Sequence, residues 1–170
     1  MRVLGMNIGE FTIIEKNDGE SISINAVTDV KVKIIFTYRI KYVQESFHKN
    51  GNLWQSHVKA VKDGKVDSDV MLKKHNESYL LLKENKDSTL IHDNIRYTGS
   101  LLYFHEPAQV SSMYKERTGE KGNMKCTGGN TYVLTDEKGR ITNEYEYKDG
   151  VLEWAKLKHP VANILMKRVL

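Results

Sequence analysis

The sequence predicts a mainly β domain built on an antiparallel sheet, and three observations support this fold class. Apolar side chains occupy every even position from Val32 to Tyr42, while most odd positions are polar, as in a strand with one buried face. The length of 170 residues, with only two prolines, fits one domain over residues 1–170. Turn signals recur between the apolar segments at Asn17-Asp18-Gly19, Asn50-Gly51, Asp63-Gly64, Asp136 to Gly139 and Asp149-Gly150.

Between these turns the sequence predicts a meander of strands, each paired with the next. The predicted strands cover residues 2–8, 10–16, 21–30, 31–48, 52–62, 65–75, 78–84, 123–127, 130–135, 141–148 and 151–158. The last segment, from Val161 to Leu170, fits either a strand or a helix.

The run from Lys31 to His48 is too long for one straight strand. It would span ~60 Å at about 3.3 Å per residue, whereas a domain of this length is only ~40 Å across. The apolar positions also change phase after Tyr42, to Val43 and Phe47, which predicts a bulge near residues 42 and 43. Long, bent strands with one apolar face wrap a core, so we expect a strongly curved sheet or half-barrel.

One segment breaks the β pattern and predicts a short helix over residues 98–105. Thr98 or Ser100 can cap it, and its apolar run stops before Pro107. A second helical turn is predicted from Ser111 to Lys115. A helix laid into the concave face of a curved sheet covers its apolar surface, and we place Leu101, Leu102 and Phe104 there.

The C-terminal half resembles a family of exported bacterial domains of unknown function, grouped with LolA-like lipoprotein-carrier folds. The resemblance rests on the stretch from Val110 to Gly119, on Tyr132-Val133-Leu134, and on the stretch from Tyr145 to Leu152. It implies a curved antiparallel sheet closed by short helices, a location in the cell envelope and no established activity. The chain departs from that family in showing no export signal.

Composition and motif spacing disfavour several chemistries. The six histidines never form the short pairs that assemble a metal site, so we expect no metal and no other cofactor. Cys126 has no histidine nearby in sequence; a thiolate stabilised by Lys125 is the alternative to a semi-buried strand residue. The net charge of +4 is spread along the chain, and the lysines of the long strand lie opposite its aromatic residues. Because stacking platforms need both together, we do not expect nucleic acid as a partner.

The remaining candidate site is the concave apolar face, where most of the aromatic side chains also carry a polar tip. Such side chains suit a cavity that holds a lipid or another apolar small molecule while offering hydrogen bonds. The predicted ligand-binding residues are Phe36, Tyr38, Tyr42, Trp54, Tyr132 and Tyr147. The alternative is that these side chains pack together into a dry core.

These observations lead to a functional expectation with two alternatives. We expect a non-catalytic cell-envelope protein that binds or carries a lipid-like or other apolar ligand, with peripheral association with the envelope. A small enzyme acting on an apolar substrate is the first alternative, with His57, Tyr114 and Arg117 as polar residues at the cavity mouth. A structural or interaction protein with a closed core is the second. The oligomeric state is left open.

The expected location depends on how the chain begins. No run of about 18 apolar residues is present to span a membrane or form an export signal. Strand-like sequence starts at Arg2 without a polar lead-in, as it would after a trimmed signal. We therefore expect a soluble chain as supplied, and a periplasmic or envelope protein if a signal was removed.

Overall fold

The computed structural model describes residues 1–33, 37–84, 86–158 and 162–169, without the side chains of Val32, Lys33 and Tyr38. In chain order its strands are β1 Arg2–Val3, β2 Met6–Asn7, β3 Gly9–Asn17, β4 Ser21–Lys33, β5 Thr37–Lys49, β6 Asn52–Lys62, β7 Lys65–His75, β8 Ser78–Lys83, β9 Asp87–Ile91, β10 Ser112–Tyr114, β11 Lys121–Gly128, β12 Thr131–Thr135, β13 Ile141–Lys148, β14 Val151–Leu157 and β15 Ile164–Lys167. A single turn of 3-10 helix covers Leu101–Tyr103. No helix in this part of the chain is long and apolar enough to cross a membrane.

The strands form two antiparallel sheets. One has seven strands in the order β3-β4-β5-β6-β7-β8-β9, and the other has eight in the order β10-β11-β12-β13-β14-β15-β1-β2. The predicted mainly β, antiparallel architecture is confirmed. The single curved sheet or half-barrel is not, because the described strands divide between two open sheets, each with a linear order.

The predicted hairpin turns are present where Asn or Asp precedes Gly. At Asn50-Gly51, Asp63-Gly64 and Asp149-Gly150 both residues have positive φ, between 49° and 79°. Two-residue hairpin turns of this kind match the twist of the flanking strands, and only Gly, Asn and Asp adopt them at low cost. These turns therefore set the register of the neighbouring strands.

The prediction of one long strand over residues 31–48 is wrong, because its described residues belong to two strands, β4 and β5. Lys31 to Lys33 end β4, and the chain returns as β5, in which Arg39 pairs with Lys31. Pairing between β4 and β5 runs without interruption through Tyr42 and Val43, so the bulge predicted there is absent; an irregularity lies instead at Phe47 and His48, opposite β6.

Three further predictions concern helices and the C-terminal segment. The second helical turn, over residues 111–115, is wrong, because Ser112–Tyr114 is strand β10 and pairs with β11. The first predicted helix is reduced to its 3-10 turn. The open choice for residues 161–170, of which the structure describes 162–169, resolves to a strand over Ile164–Lys167, paired with β14 and β1.

Three apolar clusters hold the molecule together. The largest is formed by strands of the eight-stranded sheet and includes Met124, Tyr132, Leu134, Tyr145, Tyr147 and Leu152. The other two join the sheets at separate places. Tyr114 of β10 packs with Leu72 and Tyr79 of the seven-stranded sheet, while Val3 of β1 packs with Val30 of β4.

The residues between β9 and β10, numbers 92–111, form a connecting segment that contacts both sheets. On one side, Leu102 belongs to the largest cluster and its carbonyl accepts a hydrogen bond of 2.7 Å from Tyr147. On the other side, the ring of Tyr103 lies 5.0 Å from that of Phe11 in β3. The segment therefore lines the space that the two sheets leave between them.

Candidate ligand-binding groove

A groove of about 480 Å³ opens between the edge strand β3 and strands β14 and β15 of the other sheet. Small-molecule sites in proteins typically measure about 300–1,000 Å³ and are mostly apolar. The groove has such a lining, which includes Phe11, Ile13, Tyr103, Phe104, Leu152 and Met166. Its size and lining make it the candidate functional site.

Strand β3 supplies one wall of the groove through residues 10–13. Phe11 and Ile13 are half-buried and line the groove. Ile14, the next residue along the strand, does not line it and is 55% exposed. Gly9 begins this strand with φ of 141°, and a Cβ there would lie 2.8 Å from the side chain of Val30. A glycine is needed for β3 to approach β4 this closely as the chain passes from one sheet to the other.

The connecting segment supplies a second wall and is fastened to β3. Tyr103 and Phe104 line the groove, and Nε2 of the next residue, His105, lies 2.6 Å from Oε2 of Glu15 in β3. The hydroxyl of Tyr97 donates a hydrogen bond to the carbonyl of His105. These contacts hold two walls of the groove in a defined relation to each other.

Strands β14 and β15 supply the third wall and its charged rim. Leu152 and Trp154 line the groove from β14, and Met166 lines it from β15. Glu153 and Arg168 form a long ion pair, with 3.5 Å between Nε and Oε2. Lys167 also lines the groove and is exposed. The groove thus combines an apolar interior with charges at its edge.

The interior face of β5 carries a row of polar side chains, Tyr42, Gln44, Ser46 and His48. Tyr42 donates a hydrogen bond of 2.6 Å to Gln44, whose amide donates a longer one, 3.4 Å, to Ser46. Ser56 of β6 pairs with Ser46 in register and is 1% exposed; its hydroxyl has no partner among the described residues. A polar interior on this scale is unusual for a sheet face.

His48 ends this polar row and meets the connecting segment. Its Nε2 lies 3.2 Å from the hydroxyl of Thr98, which in turn lies 3.0 Å from that of Ser100. The side chain is 3% exposed, and Nδ1 has no partner in the described residues. Burial, with a smaller effect of His105, lowers the pKa of His48 to about 4. The imidazole is therefore neutral at pH 7.

Glu116 anchors the same part of the connecting segment. The backbone N–H groups of Gly99 and Ser100 each donate a hydrogen bond of 3.0 Å to its carboxylate, which is buried. Two charge-assisted hydrogen bonds offset much of the cost of burying the carboxylate. Glu116 thereby fixes the turn that precedes the 3-10 helix.

The structure brings together only part of the predicted ligand-binding set. Tyr132 and Tyr147 contact edge to face, with ring centroids 5.6 Å apart, inside the largest cluster. Tyr42 lies in the polar row, on a different sheet. Phe36 and the side chain of Tyr38 lie outside the described residues.

Trp54 occupies a different face from the one predicted. It is the extra residue of a bulge, because His48 pairs with Leu53 and Phe47 pairs with Gln55. Its side chain is 47% exposed, whereas that of Leu53 is fully buried. The bulge therefore turns Trp54 outward, away from the interior.

Tyr132 and Tyr147 direct their hydroxyl groups at the connecting segment. Tyr132 donates a hydrogen bond of 2.7 Å to Glu106, and Tyr147 donates to Leu102. Burial and the hydrogen bond to Glu106 raise the pKa of Tyr132 to about 12. These contacts are those of a packed core with satisfied polar tips.

The predicted cavity-mouth residues do not line the groove, and each has a carboxylate partner elsewhere. Nε2 of His57 lies 2.7 Å from Asp69, and Arg117 donates 2.8 Å and 3.1 Å hydrogen bonds to Asp67 and Ser68. Tyr114 is buried, and its hydroxyl donates to Asp93. Their geometry is that of separate ion pairs and hydrogen bonds.

The sequence prediction does not include four residues of the groove, Phe11, Ile13, Trp154 and Met166. It does include Phe104, on the helix predicted to cover the apolar face of the sheet. The alternation in β3 was visible in the sequence, but alternation marks any half-buried face. Which face stays open depends on how the two sheets meet, and a single strand pattern does not encode that.

Fold and groove together define a class of protein, an antiparallel β protein with a mostly apolar groove between two sheets. The chain belongs to the family described as Domain of unknown function (DUF6134), whose model matches residues 1–169. Curated proteins gave no match, and neither did solved structures. The family description names no activity, and the groove is the feature of the structure that points to a function.

Proposed function

We propose that this protein is a non-catalytic binding protein that holds a lipid-like or other apolar ligand in the groove between β3, β14 and β15. The observation that carries the proposal is the groove itself, with a volume of about 480 Å³ and walls of aromatic and aliphatic side chains. Each methylene group moved from water into such a site contributes about 0.8 kcal/mol. A chain of about ten methylenes would contribute about 8 kcal/mol, which offsets the cost of association of about 4–15 kcal/mol in whole or in part.

The state of the aromatic core supports placing the ligand in the groove. Tyr132 and Tyr147 contact each other and satisfy their hydroxyl groups on the connecting segment. A ligand among them would have to break these contacts, whereas the groove offers apolar surface without such a cost. The groove therefore takes the role that the sequence prediction gave to the concave face.

We extend the proposal to the cell envelope on the strength of the sequence resemblance to exported, LolA-like carriers. Fractionation of the native host tests this point with an antibody against the protein. Recovery in the periplasmic or membrane fraction is the expected result, and recovery in the cytosol alone would contradict it.

The binding proposal is tested first on protein purified from its own host. Native mass spectrometry followed by organic extraction is expected to release an apolar molecule. Apoprotein that also fails to enhance the fluorescence of a hydrophobic dye would contradict the proposal, and would favour a structural protein with a closed core.

Two neighbouring isoleucines, Ile13 and Ile14, provide a matched test of whether the ligand binds in the groove. Ile13→Trp narrows the groove, whereas Ile14→Trp adds the same bulk on the exposed face of the same strand. We expect Ile13→Trp to weaken dye binding about tenfold or more and Ile14→Trp to leave it unchanged, with thermal unfolding as the check on folding. Equal effects of the two variants would place the site elsewhere.

A further inference from the structure

The charged rim of the groove bears on what kind of apolar ligand fits, an inference that rests on the proposed function. Arg168 lines the groove with a side chain that is 30% exposed. Its closest approach to Glu153 is 3.5 Å, through Nε, beyond the usual length of a hydrogen bond. The guanidinium therefore makes no short hydrogen bond to this carboxylate.

Lys167 adds a second positive charge at the same rim. It lines the groove, and its ammonium group has no ion pair within the described part of the chain. Of the two carboxylates at the groove, Glu153 is the one paired with Arg168. Glu10 also lines the groove, from a position on β3 that alternates with Phe11 and Ile13, just as Lys167 alternates with Met166 on β15. Of the charged side chains at the rim, Arg168 and Lys167 are the ones that carry hydrogen-bond donors.

We infer that the ligand is an anionic amphiphile, an apolar chain that ends in a carboxylate or a phosphate group. The chain lies in the groove, and the head group meets Arg168 and Lys167 at the rim. A guanidinium presents parallel N–H donors that match the two oxygens of a carboxylate or phosphate. Partial burial beside apolar walls strengthens this attraction relative to bulk water.

The inference is tested with ligands that share one chain and differ in the head group. Sodium oleate, oleyl phosphate and uncharged oleyl alcohol are titrated below their aggregation concentrations into the full chain, and dissociation constants are measured by displacement of a hydrophobic dye. Hydrogen bonds to charged groups predict that at least one of the two anions binds about tenfold to a hundredfold more tightly than the alcohol. The anion that binds more tightly shows whether the site prefers a carboxylate or a phosphate head group.

The variants Arg168→Gln and Arg140→Gln separate a local effect from a general effect of charge. Arg140 pairs with Asp136 at 2.7 Å, is 73% exposed and lies outside the groove. We expect Arg168→Gln to bring binding of the anions close to that of the alcohol, and Lys167→Gln to have a smaller effect in the same direction. Arg140→Gln is expected to leave the preference intact.

The possible failures of this test are distinguishable. If the alcohol binds as tightly as both anions, or if Arg168→Gln and Arg140→Gln weaken anion binding equally, the anionic head group is wrong while the apolar groove stands. If none of the three ligands binds the wild-type chain, the proposed function fails together with the inference.

Discussion

The two sides of the connecting segment are built from different chemistry. Toward the eight-stranded sheet, Leu102 packs into an apolar and aromatic cluster. Toward the seven-stranded sheet, residues 98–105 make hydrogen-bonded contacts, Thr98 with His48 and His105 with Glu15, whereas Ile95, earlier in the segment, is buried in an apolar cluster with residues of that sheet. Residues 98–105 therefore pack into an apolar core on the first side and are held by hydrogen bonds on the second.

This difference explains where the groove forms. Apolar packing fills space without preferred directions and leaves few voids, which describes the cluster around Tyr147. Hydrogen bonds hold groups at fixed distances and need not fill the space beside them. At β3 the segment is held by Glu15 and by the contact of Phe11 with Tyr103, and the volume next to these contacts stays open.

The largest expected effect comes from breaking the apolar side. Leu102→Ala removes a side chain that is 3% exposed, and we expect a loss of about 2–5 kcal/mol in the free energy of unfolding, measured by urea denaturation. Leu165→Ala is the control, because Leu165 in β15 is 45% exposed; it should cost about 0.5 kcal/mol. Similar losses in both variants would contradict the contrast between the two sides.

The polar side should show itself as a pH dependence of stability. The pKa of His48 is about 4 in the folded protein, below the 6.5 of an unperturbed histidine, so the unfolded chain binds this proton more readily. Stability from this group is complete above pH 6.5 and is lost as the pH falls from 6.5 toward 4, by up to about 3 kcal/mol.

The variant His48→Gln isolates that contribution. Urea denaturation of wild type and variant across pH 4–7 should give curves that converge as the pH falls, because the variant lacks the titrating imidazole. Parallel curves would mean that His48 is not buried in its neutral form.

The contact between Glu15 and His105 should contribute less. His105 is partly exposed, with 35% of its side chain accessible, and pairs of this kind are worth about 0–1 kcal/mol. A double-mutant cycle with Glu15→Gln and His105→Gln measures the coupling energy. A coupling of several kcal/mol would show that the polar side stabilises the fold as strongly as the apolar side.

The smallest effect is expected at Trp54. If it were part of a packed core, the alternative that the sequence left open, Trp54→Ala would cost about 3–5 kcal/mol. Because the bulge turns its side chain outward, we expect a change of about 0.5 kcal/mol. Thermal or urea unfolding of this one variant decides between the two positions.

Local features of this fold were readable from the sequence because they depend on a few adjacent residues. Turns such as Asn50-Gly51 need positive φ, which few residues tolerate, so most hairpins of the two meanders were predicted correctly. The short strands β9 and β10 were missed, since three to five residues carry little periodicity.

The polar row on β5 caused the largest misinterpretation. Beyond Tyr42 the interior positions are Gln44, Ser46 and His48, so the apolar residues Val43 and Phe47 point outward. This change of phase predicts a bulge only where the interior is apolar. Long-range contacts, such as that of His48 with Thr98, decide that this interior is polar.

The claim that the ligand lies in the groove has a direct test in the two tryptophans of the chain. Trp154 lines the groove, whereas Trp54 lies on the outer face of β6. Trp54→Phe therefore leaves a reporter inside the site, and Trp154→Phe leaves one outside it. Titration with oleyl alcohol, whose head group is uncharged, should change the emission of Trp154 and leave that of Trp54 constant. A response from Trp54 alone, or from neither, would contradict the account.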